Sequence, residues 1–459
     1  MTPRTTRTGT PRGYLLTQAL KVRGWTPAEL ARRLRDLSQE RGWPIRPGRD
    51  GVWYWERWRT PDLPTQCLIA VILGIPLTAV DERPWPEWLA EDPAQRPTLP
   101  PWTLLGATQA LQALTDLAGE GAVEATRRDI ALIAGSTLTT TLLSWLTADP
   151  VAAGQITSQR IGEAAVARIE ERARILRHTD DEDGGGSLLT ETTSALILVK
   201  RLILHHSHST AHRSRLYATA SDLARQRAAA LFDVKGQCAD KAFETALRLA
   251  KIAEDDALGA NALAFWAVSA YNTGRLRDAV AMADTGLAAV RGRTTPRVEA
   301  MLTSRRGRAR AHLGDDRGCW ADFDRAEELL ARAPGHDDPD WAYWFDKAEL
   351  LGARASSYRD QNQPGPAAAA FAQAHTLYAT SHPCVRTHAL YLSRQADAQL
   401  TQQQVEQACA TANQALDLTE TISSHRTTGP LLDLAERLSA FTVPAAREFR
   451  DRAQTVLAA

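Results

Sequence analysis

The sequence lacks any run of about eighteen apolar residues, the length that a membrane-spanning helix requires. We therefore expect no membrane contact. The basic N-terminal segment, residues 1–13, has no apolar core behind it and differs from a secretory signal in that respect. Together these absences predict a soluble, cytoplasmic protein.

Cysteine is scarce and scattered along the chain. The cysteines are Cys67, Cys238, Cys319, Cys384 and Cys409. Their spacing is typical neither of a disulfide framework nor of a zinc module. This pattern argues against a disulfide-stabilised secreted protein and favours the reducing cytoplasm.

Signatures of catalysis are also missing. The sequence has no Gly-x-Ser-x-Gly segment, no His-Glu-x-x-His segment and no Cys/His pair in a recognisable local frame. The glycine-rich segment 183–186 lacks the Lys and the following Ser or Thr of a phosphate-binding loop. We expect a protein that is not an enzyme and that binds no cofactor.

Charge is distributed unevenly. The chain carries 54 Lys and Arg against 54 Asp and Glu, whereas residues 1–59 alone carry 13 against 5. These first residues therefore have an excess of eight positive charges, and the rest of the chain has the opposite excess. A basic end on an acidic body is typical of nucleic-acid binding, because cationic side chains neutralise phosphates and release counterions.

Composition divides the chain into four stretches. Residues 1–82 form a basic, Trp-rich head, and residues 83–101 contain six prolines, which predicts a linker with a local aromatic anchor. Residues 102–209 have the pattern of a helical middle region, interrupted by the acidic and glycine-rich segment 179–186. Residues 210–459 are helical throughout. Convincing strand alternation appears nowhere, so the predicted fold class is all-α.

A helix-pair repeat is indicated in the last stretch. Five segments share small or aromatic residues at a spacing of four and then three residues. The five sets are Ala239/Phe243/Ala246, Ala279/Ala283/Gly286, Cys319/Phe323/Ala326, Ala367/Phe371/Ala374 and Ala408/Ala412/Ala415. Their last members are 40, 40, 48 and 41 residues apart, which indicates a tetratricopeptide-like α-solenoid. The alternative is a generic Ala-rich bundle.

The turns and the end of the solenoid can also be placed. We expect turns between paired helices at Gly274 and Gly314, each five residues before the first small residue of the helix that follows. The final segment, residues 430–459, is expected to be a capping helix pair, with Pro430 and Pro444 near the helix starts.

Four helices are predicted in the basic head. They cover residues 14–24, 27–42, 51–58 and 64–74. The second helix has a strong start signal, because Thr26 suits the N-cap, Pro27 the first helical position and Glu29 the third. The third helix is short and aromatic.

A family resemblance rests on residues within these helices. They are Glu29-Leu30-Ala31, Val52, Trp55-Glu56-Arg57, Pro61 and the run from Ile69 to Pro76. In their order and spacing they resemble the helix-turn-helix domain of Xre-type bacterial repressors. Segments 85–90, 125–136 and 179–185 extend the resemblance to actinobacterial regulators that join such a head to a tetratricopeptide-like C-terminal half.

The resemblance implies that the helix over residues 51–58 lies in the major groove of DNA. The residues implied to contact DNA are Arg46, Arg49, Asp50, Trp53, Tyr54, Arg57 and Arg59. Among them, Arg49 suits a bidentate contact with guanine, and Arg57 would lie near the DNA backbone. Val52 and Trp55 would be core residues.

Two features depart from the family pattern. Pro27 stands where Gln is usual, and about eleven extra residues near positions 35–47 separate the second helix from the third. They alter the turn and with it the docking angle. The alternative is that the aromatic helix 51–58 is a packing face toward another domain.

Three smaller features allow a structural or a functional interpretation. Four histidines between His205 and His212 suit a metal site if the segment bends back on itself, or else a polar junction between helices. Arg127-Arg128 is more typical of a helix start than of a site. Asp180-Asp181 is more typical of a solvated acidic turn.

A stack of helix pairs leaves a concave face that suits an extended peptide or a partner helix. The candidate ligand-binding residues are Asn261, Arg306, Arg354 and Trp344. An Asn amide matches a peptide group because it donates and accepts, and arginines, including Arg305 and Arg394, suit a carboxylate. The alternatives are a solvated helix face and, for Trp344 with Trp341 and Tyr343, core packing between repeats.

These patterns predict a DNA-binding transcriptional regulator. Its repeat domain would bind a peptide, a small ligand or a protein partner and so modulate operator binding. A homodimer is expected, because one head reads one half-site. The rival hypothesis is a repeat scaffold or adaptor whose head is an interaction module without specific DNA binding. A metal- or nucleotide-dependent enzyme is a further alternative.

Overall fold

In the computed structural model, every regular element among the described residues is a helix. The structure describes residues 14–40, 51–52, 54–55, 59–92, 102–119, 133–148, 161–236, 239–332, 337–381, 384–419, 422 and 424–457. No strand occurs among these residues, which confirms the predicted all-α class. None of their helices combines the length and the apolar character that crossing a membrane requires.

The head begins with helices that follow the predicted bounds closely. They are α1 (Tyr14–Arg23), α2 (Pro27–Glu40), α3 (Leu63–Leu73), α4 (Leu77–Glu82) and a 3₁₀ helix (Glu87–Glu91). Residues 51–52 and 54–55 are also helical. The start of α2 is as predicted, because the Glu29 backbone N–H donates to the Thr26 Oγ1 at 3.2 Å. Val52 is fully buried, as expected, and Trp55 packs half-buried against the same core.

The predicted boundary between head and linker, at residue 82, falls inside the apolar core of the head. Trp85, Trp88 and Leu89 are buried among the apolar side chains of the head, and Trp88 Nε1 donates to Gln66 Oε1 at 2.9 Å. Asp92 closes the unit through an ion pair with Arg23. The prolines exclude a long helix but leave a 3₁₀ turn that buries both tryptophans. The head therefore extends to Asp92, and the linker predicted from residue 83 is wrong over its first half.

The middle region supplies four helices that pack against the start of the solenoid. They are α5 (Leu104–Gly119), α6 (Gly135–Thr147), α7 (Glu163–Asp183) and α8 (Gly185–His205). The break predicted over 179–186 is confined to Gly184, with φ 80° and ψ −177°. The acidic residues before it stay helical, because only the glycine must adopt a conformation that side chains disfavour.

The solenoid consists of consecutive antiparallel helix pairs. Its first helices are α9 (Thr210–Lys235), α11 (Asp256–Asn272), α13 (Pro296–Leu313), α15 (Lys347–Asp360), α17 (Val385–Thr401) and α19 (His425–Leu438). Its second helices are α10 (Asp240–Ala253), α12 (Leu276–Val290), α14 (Asp316–Ala331), α16 (Pro364–Ser381), α18 (Val405–Thr419) and α20 (Pro444–Leu457). A further 3₁₀ helix (Asp340–Ala342) precedes α15. The described residues thus form six pairs, with α9 beginning where the repeat domain was predicted.

The small residues of the predicted repeat lie where paired helices touch. All five sets are buried and lie on second helices, apart from Ala239, which is the N-cap residue of α10. A Cβ atom at Gly286 would lie 2.8 Å from Leu302 Cδ2 of the next first helix, and one at Gly307 would lie 3.3 Å from Phe323 Cε2. Gly274 and Gly314 form the predicted turns with φ of 83° and 78°. The repeat is therefore fixed by close helix contact and not by Ala content alone.

The capping pair starts earlier than predicted. The helix α19 begins at His425, so Pro430 lies inside it rather than near its start. The helix α20 does begin at Pro444, as predicted. The pair packs its apolar face on α17 and α18, with Leu431 and Phe449 fully buried. Burial of that face outweighs the one backbone hydrogen bond that an internal proline loses.

The solenoid curls until its two ends approach each other. The helix α7 of the middle region packs against α17, and α9 packs against α19. The concave side of the described solenoid is therefore covered rather than open. A compact chamber replaces the long groove that the repeat pattern alone suggests.

The head docks on the second repeat. The Arg277 guanidinium at the start of α12 donates to the Glu82 carbonyl oxygen at 3.2 Å and lies 3.8 Å from the Glu87 carboxylate. Ala134, which precedes α6, belongs to the core of the head. The adjoining Gly135 backbone N–H donates to Asp278 of α12 at 3.3 Å. Head, middle region and solenoid thus meet at one place.

A buried ion pair holds this junction together. Asp240 at the start of α10 accepts from Arg275 Nη2 at 2.8 Å, from Trp266 Nε1 at 2.6 Å and from the Ile133 backbone N–H at 2.8 Å. The Arg275 Nη1 also donates to the Ile133 carbonyl at 3.0 Å. The side chains of Asp240 and Arg275 are both 1% exposed. The pair therefore ties two repeats to the middle region with charge-assisted hydrogen bonds.

We predict that Asp240→Ala lowers the free energy of unfolding by roughly 3–5 kcal/mol, because Arg275 would keep a buried charge without this carboxylate. Urea unfolding of the full chain measures the change. The matched control is Asp256→Ala, which removes a surface ion pair with Arg293 at 3.1 Å and should cost less than about 1 kcal/mol. Equal losses in the two variants would contradict the assignment.

Glu87 gives the head a pH-dependent contribution to stability. Burial raises the pKa of this carboxyl to about 7, although Arg277 acts in the opposite direction. In the unfolded chain the same carboxyl ionises near 4.5. Burying the ionised carboxylate therefore lowers the free energy of unfolding. This destabilisation is complete above pH 7, decreases as pH falls through 7 and disappears below about 4.5.

We predict that Glu87→Gln raises the free energy of unfolding by on the order of 1 kcal/mol at pH 8, and by much less at pH 5. Thermal unfolding at the two pH values measures the difference. Glu82→Gln, at an exposed glutamate nearby, is the control and should show the same small effect at both pH values. A Glu87→Gln effect that is independent of pH would refute the interpretation.

Candidate functional site: an arginine-rich cavity inside the solenoid

The concave side of the solenoid encloses a cavity of about 110 Å³, which we call the central cavity. It is lined by first helices of the repeats, by the end of α7 and by the segment before α15. Its arginines are Arg177, Arg225, Arg305, Arg308, Arg386, Arg394 and Arg426. A volume of this size holds several water molecules or one small polar ligand.

Helical periodicity brings these side chains to one place. Arg386, Leu390 and Arg394 follow one another at four-residue intervals on α17, so they share one face of that helix. Arg305 and Arg308 have a three-residue interval on α13 and do the same. Polar residues at i, i+3 and i, i+4 spacing on these first helices therefore point toward the cavity.

Glu349 organises one wall of the cavity. Its carboxylate accepts from Arg305 Nη1 at 3.1 Å, from the Tyr391 hydroxyl at 2.8 Å and from the Tyr378 hydroxyl at 3.3 Å. Burial and the neighbouring Glu349 carboxylate raise the pKa of both tyrosines well above the usual range. The phenols therefore stay protonated and act as hydrogen-bond donors.

Asp360 at the end of α15 organises a second wall. It lies 2.7 Å from Arg308, 2.9 Å from Arg359 and 3.2 Å from His312. Burial alone would raise the pKa of Asp360, but these neighbours hold it well below its usual range. Burial lowers the pKa of His312 to about 4, so this imidazole is neutral at pH 7 despite the carboxylate beside it.

The end of α7 closes the cavity against the last repeats. Arg386 of α17 lies 3.1 Å from Asp180 and 3.2 Å from Asp233 of α9, and the Tyr343 hydroxyl donates to Asp181. Burial raises the pKa of Asp180 to about 6. The prediction of a solvated acidic turn at Asp180-Asp181 is therefore wrong. These residues are half-buried, helical and paired with groups up to 206 positions away.

A third carboxylate, Asp222, is shared by two arginines. Arg225 lies 2.9 Å from it on the same helix, and Arg177 reaches it from α7. The Gln226 amide donates to the same carboxylate at 2.8 Å. Burial would raise the pKa of Asp222, but Arg225 and Arg177 lower it overall. The carboxylate thus stays ionised and fixes both guanidiniums.

Aromatic rings hold the guanidiniums from the other side. Arg225 lies 4.5 Å from the centre of the Phe265 ring, and Arg305 lies 5.2 Å from that of Trp344. Arg308 lies 5.5 Å from the centre of the Tyr271 ring. Each contact is within the range of a cation–π interaction, which strengthens when the cation is shielded from water. The cavity therefore presents flat rings and positive charge together.

Arg394 differs from the other arginines of the cavity. Among the described residues it forms no ion pair with a carboxylate, and its Nη1 donates to the Ser356 hydroxyl at 2.8 Å. Burial lowers the pKa of Arg394 to about 9, with Arg359 and Arg308 adding repulsion. The side chain is therefore still positively charged at neutral pH, but at a cost to the folded protein.

The predicted ligand-binding residues are only partly in this cavity. Trp344 lines it, as do Arg305 and Arg394. Arg306 instead forms ion pairs with Asp322 and Asp284 on neighbouring second helices, at 2.7 and 2.8 Å. Both carboxylates lie outside the cavity lining, so a ligand role in this cavity is excluded for Arg306.

Arg354 and Asn261 are also placed elsewhere. Arg354 lies 3.0 Å from Asp324 and 3.3 Å from Glu327 of α14, on the far side of α15 from the cavity lining. Asn261 is 1% exposed and is packed between helices. Neither side chain lines the central cavity, because successive residues of a helix are turned by about 100° and a shift of one residue moves a side chain to another face.

The predicted DNA-contacting residues are mostly outside the described part of the chain. Arg46, Arg49, Asp50, Trp53 and Arg57 are those outside it. The remaining two, Tyr54 and Arg59, are exposed and adjacent, with the guanidinium 5.2 Å from the centre of the ring. The Arg59 backbone N–H donates to the Tyr54 carbonyl at 2.9 Å.

The histidine cluster is a junction between helices in this structure. His205 ends α8, and His212 Nε2 lies 3.0 Å from the Glu163 carboxylate at the start of α7. No group of three His, Cys, Asp or Glu side chains suited to a metal ion occurs among the described residues. The described thiols of Cys67, Cys319, Cys384 and Cys409 are free, and burial raises the pKa of the last three.

The residues that sequence reasoning missed are those of α7. Val166, Ile169, Ala173 and Leu176 form a buried stripe on this helix, and Asp180 continues it at the next four-residue step. A charged residue that extends an apolar stripe must be buried and paired. That signal was present in the sequence and points to Asp180 as a functional or structural site.

No protein-family model matches this sequence, and no curated protein is significantly similar to it. The resemblance to Xre-type regulators thus rests on the motif residues alone. Functional interpretation must therefore start from the geometry of the central cavity and from the charge of the head.

We predict that Gly352→Ala on α15 distorts the cavity wall, because a Cβ atom there would overlap the Tyr391 ring. The variant should lose about 1–3 kcal/mol of unfolding free energy, although alanine favours a helix over glycine by roughly 0.5–1 kcal/mol. Urea unfolding measures the change.

Gly365→Ala at the start of α16 is the matched control. A Cβ atom there would meet only the Gln402 side chain at the ordinary distance of 3.6 Å. This variant should be neutral or slightly stabilising. If Gly352→Ala behaved in the same way, close packing of Tyr391 on α15 would be disproved.

Proposed function

We propose that the protein is a DNA-binding transcriptional regulator. In this proposal the head is an Xre-like helix-turn-helix domain, and the solenoid binds an effector that modulates operator affinity. The observation that carries the proposal is the confinement of an eight-charge positive excess to the first 59 residues of an otherwise acidic chain. Such a distribution favours phosphate neutralisation at one end of the molecule.

The described part of the head supports this interpretation. Arg32, Arg35 and Arg59 are exposed, and the buried core of the head leaves these cations on its surface. Tyr54, beside Arg59, is 41% exposed. An aromatic and a cationic side chain next to each other on the surface suit contacts with bases and phosphates.

The cavity and the head are close enough to be coupled through one turn. Tyr271 lines the cavity near the end of α11. The turn at Gly274 follows three residues later, and Arg277 then contacts Glu82 and Glu87 of the head. An effector that binds one arrangement of this turn better would shift the population of head positions. Reciprocally, operator DNA would change the affinity for the effector.

The proposed active form is a homodimer. A helix-turn-helix head reads one half-site, and two heads related by a two-fold axis read a palindromic operator. A scaffold or adaptor function, in which the head binds another protein, is the outcome that the following experiment would expose.

We predict that the full chain binds duplex fragments of its own genome with an affinity that falls linearly with salt on a logarithmic scale. Titration at several ionic strengths measures this dependence. On a selected operator, Arg49→Ala should cost about 1–3 kcal/mol of binding free energy and relax specificity at one position. Arg59→Gln should weaken binding to all sequences and reduce the salt slope by about 1.

Arg332→Gln in the solenoid is the matched control, because its side chain is 64% exposed and lies far along the chain from the head. This variant removes the same charge and should leave the slope unchanged. If the chain does not bind DNA at low ionic strength, or binds it independently of salt, the regulator proposal is rejected and the scaffold function is favoured.

A further inference from the structure

The central cavity holds more positive than negative charge. Its arginines and Arg359 contribute eight guanidiniums, and the carboxylates that line the cavity or pair with these arginines number six. The six are Asp180, Asp181, Asp222, Asp233, Glu349 and Asp360. A surplus of buried cations is unfavourable unless an anion enters, because charge is costly to hold away from water.

The surplus is concentrated at Arg394. The other arginines of the lining each have a carboxylate at 4.0 Å or less, whereas Arg394 has the Ser356 hydroxyl and the Tyr391 ring, whose centre is 5.9 Å away. Arg308 and Arg359 repel it, and the Asp360 carboxylate that attracts it is already paired with those two arginines. The Ser356 hydroxyl accepts from Arg394 Nη1 and donates its own proton to the Gly352 carbonyl at 2.8 Å, so it positions the guanidinium. The other N–H groups of this guanidinium are the donors for an anionic group.

The rest of the lining selects for shape. Phe265, Tyr271, Trp344 and Tyr391 present aromatic rings to the cavity. The helix α7 covers the concave side through the contacts of Asp180 and Asp181. This cover leaves space for a compact molecule and not for an extended peptide.

We propose that the central cavity binds a compact aromatic anion, a flat ring bearing a carboxylate or a phosphate, with the anionic group at the Arg394 guanidinium. The ring lies among the aromatic side chains of the lining. This inference deepens the proposed function by naming the chemical class of the effector, and it depends on that function only for the regulatory role of the ligand.

The first test uses probes that separate charge from shape. Benzoate, phenyl phosphate, neutral benzamide and inorganic phosphate are titrated into the full chain and followed by calorimetry and by thermal shift. At least one of the two aromatic anions should bind at least tenfold more tightly than benzamide and than inorganic phosphate. Preference between benzoate and phenyl phosphate identifies the anionic group. Failure of both aromatic anions to bind at millimolar concentration, or equal binding of benzamide, overturns the proposal.

The second test separates a binding role from a structural role for Arg394. Arg394→Gln removes an unmatched charge, so the ligand-free variant should unfold at the same or a higher temperature than the parent. Its affinity for the aromatic anion should drop at least tenfold. Arg394→Lys keeps the charge but loses the planar donor geometry, and should lie between the two.

Arg354→Gln is the matched control, since this arginine lies on the neighbouring first helix but pairs with carboxylates outside the cavity. It should leave anion binding unchanged. If Arg394→Gln failed to fold, or lost stability without loss of anion affinity, Arg394 would be structural and the proposed anchor would be wrong. Ser356→Ala removes the acceptor that positions Arg394 Nη1 and then provides an independent test, with an expected severalfold loss of affinity.

The outcomes also separate this inference from the regulator proposal. Anion binding is measured without DNA, and salt-dependent DNA binding is measured without the anion. If the chain binds DNA but no aromatic anion, the regulator proposal stands and the proposed class of ligand is wrong. If the chain binds the anion but not DNA, the cavity is a ligand site and the regulator proposal is wrong.

Discussion

Charge that is buried must be paired, and this constraint shapes the solenoid more than any apolar contact on its inner side. Asp222, Asp233 and Asp360 each serve two guanidiniums. Sharing keeps every arginine of the chamber except Arg394 near a carboxylate while leaving the chamber positive overall. The same rule acts at the junction with the head, where Asp240 and Arg275 are almost completely excluded from solvent. A carboxylate lost at such a site strands a cation that no water can reach.

This constraint also explains why the middle region belongs to the site. Without α7, the guanidiniums of Arg386 and Arg225 would face an open groove and solvent. With it, Arg177 and Asp180 join the network and the concave face becomes a chamber. The chamber lowers the local dielectric, which strengthens each ion pair and makes any unmatched charge more costly. Selectivity for a ligand can then come from charge as well as from shape.

Local patterns in the sequence predicted the local structure well. The small residues of the repeats, the turns at Gly274 and Gly314 and the cap at Thr26 depend on spacing within one helix or one turn, and the structure has them where the pattern placed them. The chamber depends on contacts such as Arg386 with Asp180, which no local spacing reveals. Arg306 and Arg354 lie on first helices as predicted but outside the cavity lining, because helical phase decides which face a side chain occupies.

The unmatched charge of Arg394 connects the chamber to the rest of the molecule. Arg394 repels Arg308, which lies against the Tyr271 ring near the end of α11. The residues that follow that ring form the turn on which the head is docked. In the proposed function, an anion beside Arg394 would offset this repulsion. Because Arg308 lies against the Tyr271 ring, the change would act near the end of α11, next to the turn that leads to the head contact. A site whose unmatched charge destabilises the empty protein gains free energy when an anion binds, and a small movement can pass this change to the head. A fully neutralised site would have no comparable difference in free energy between its empty and occupied states.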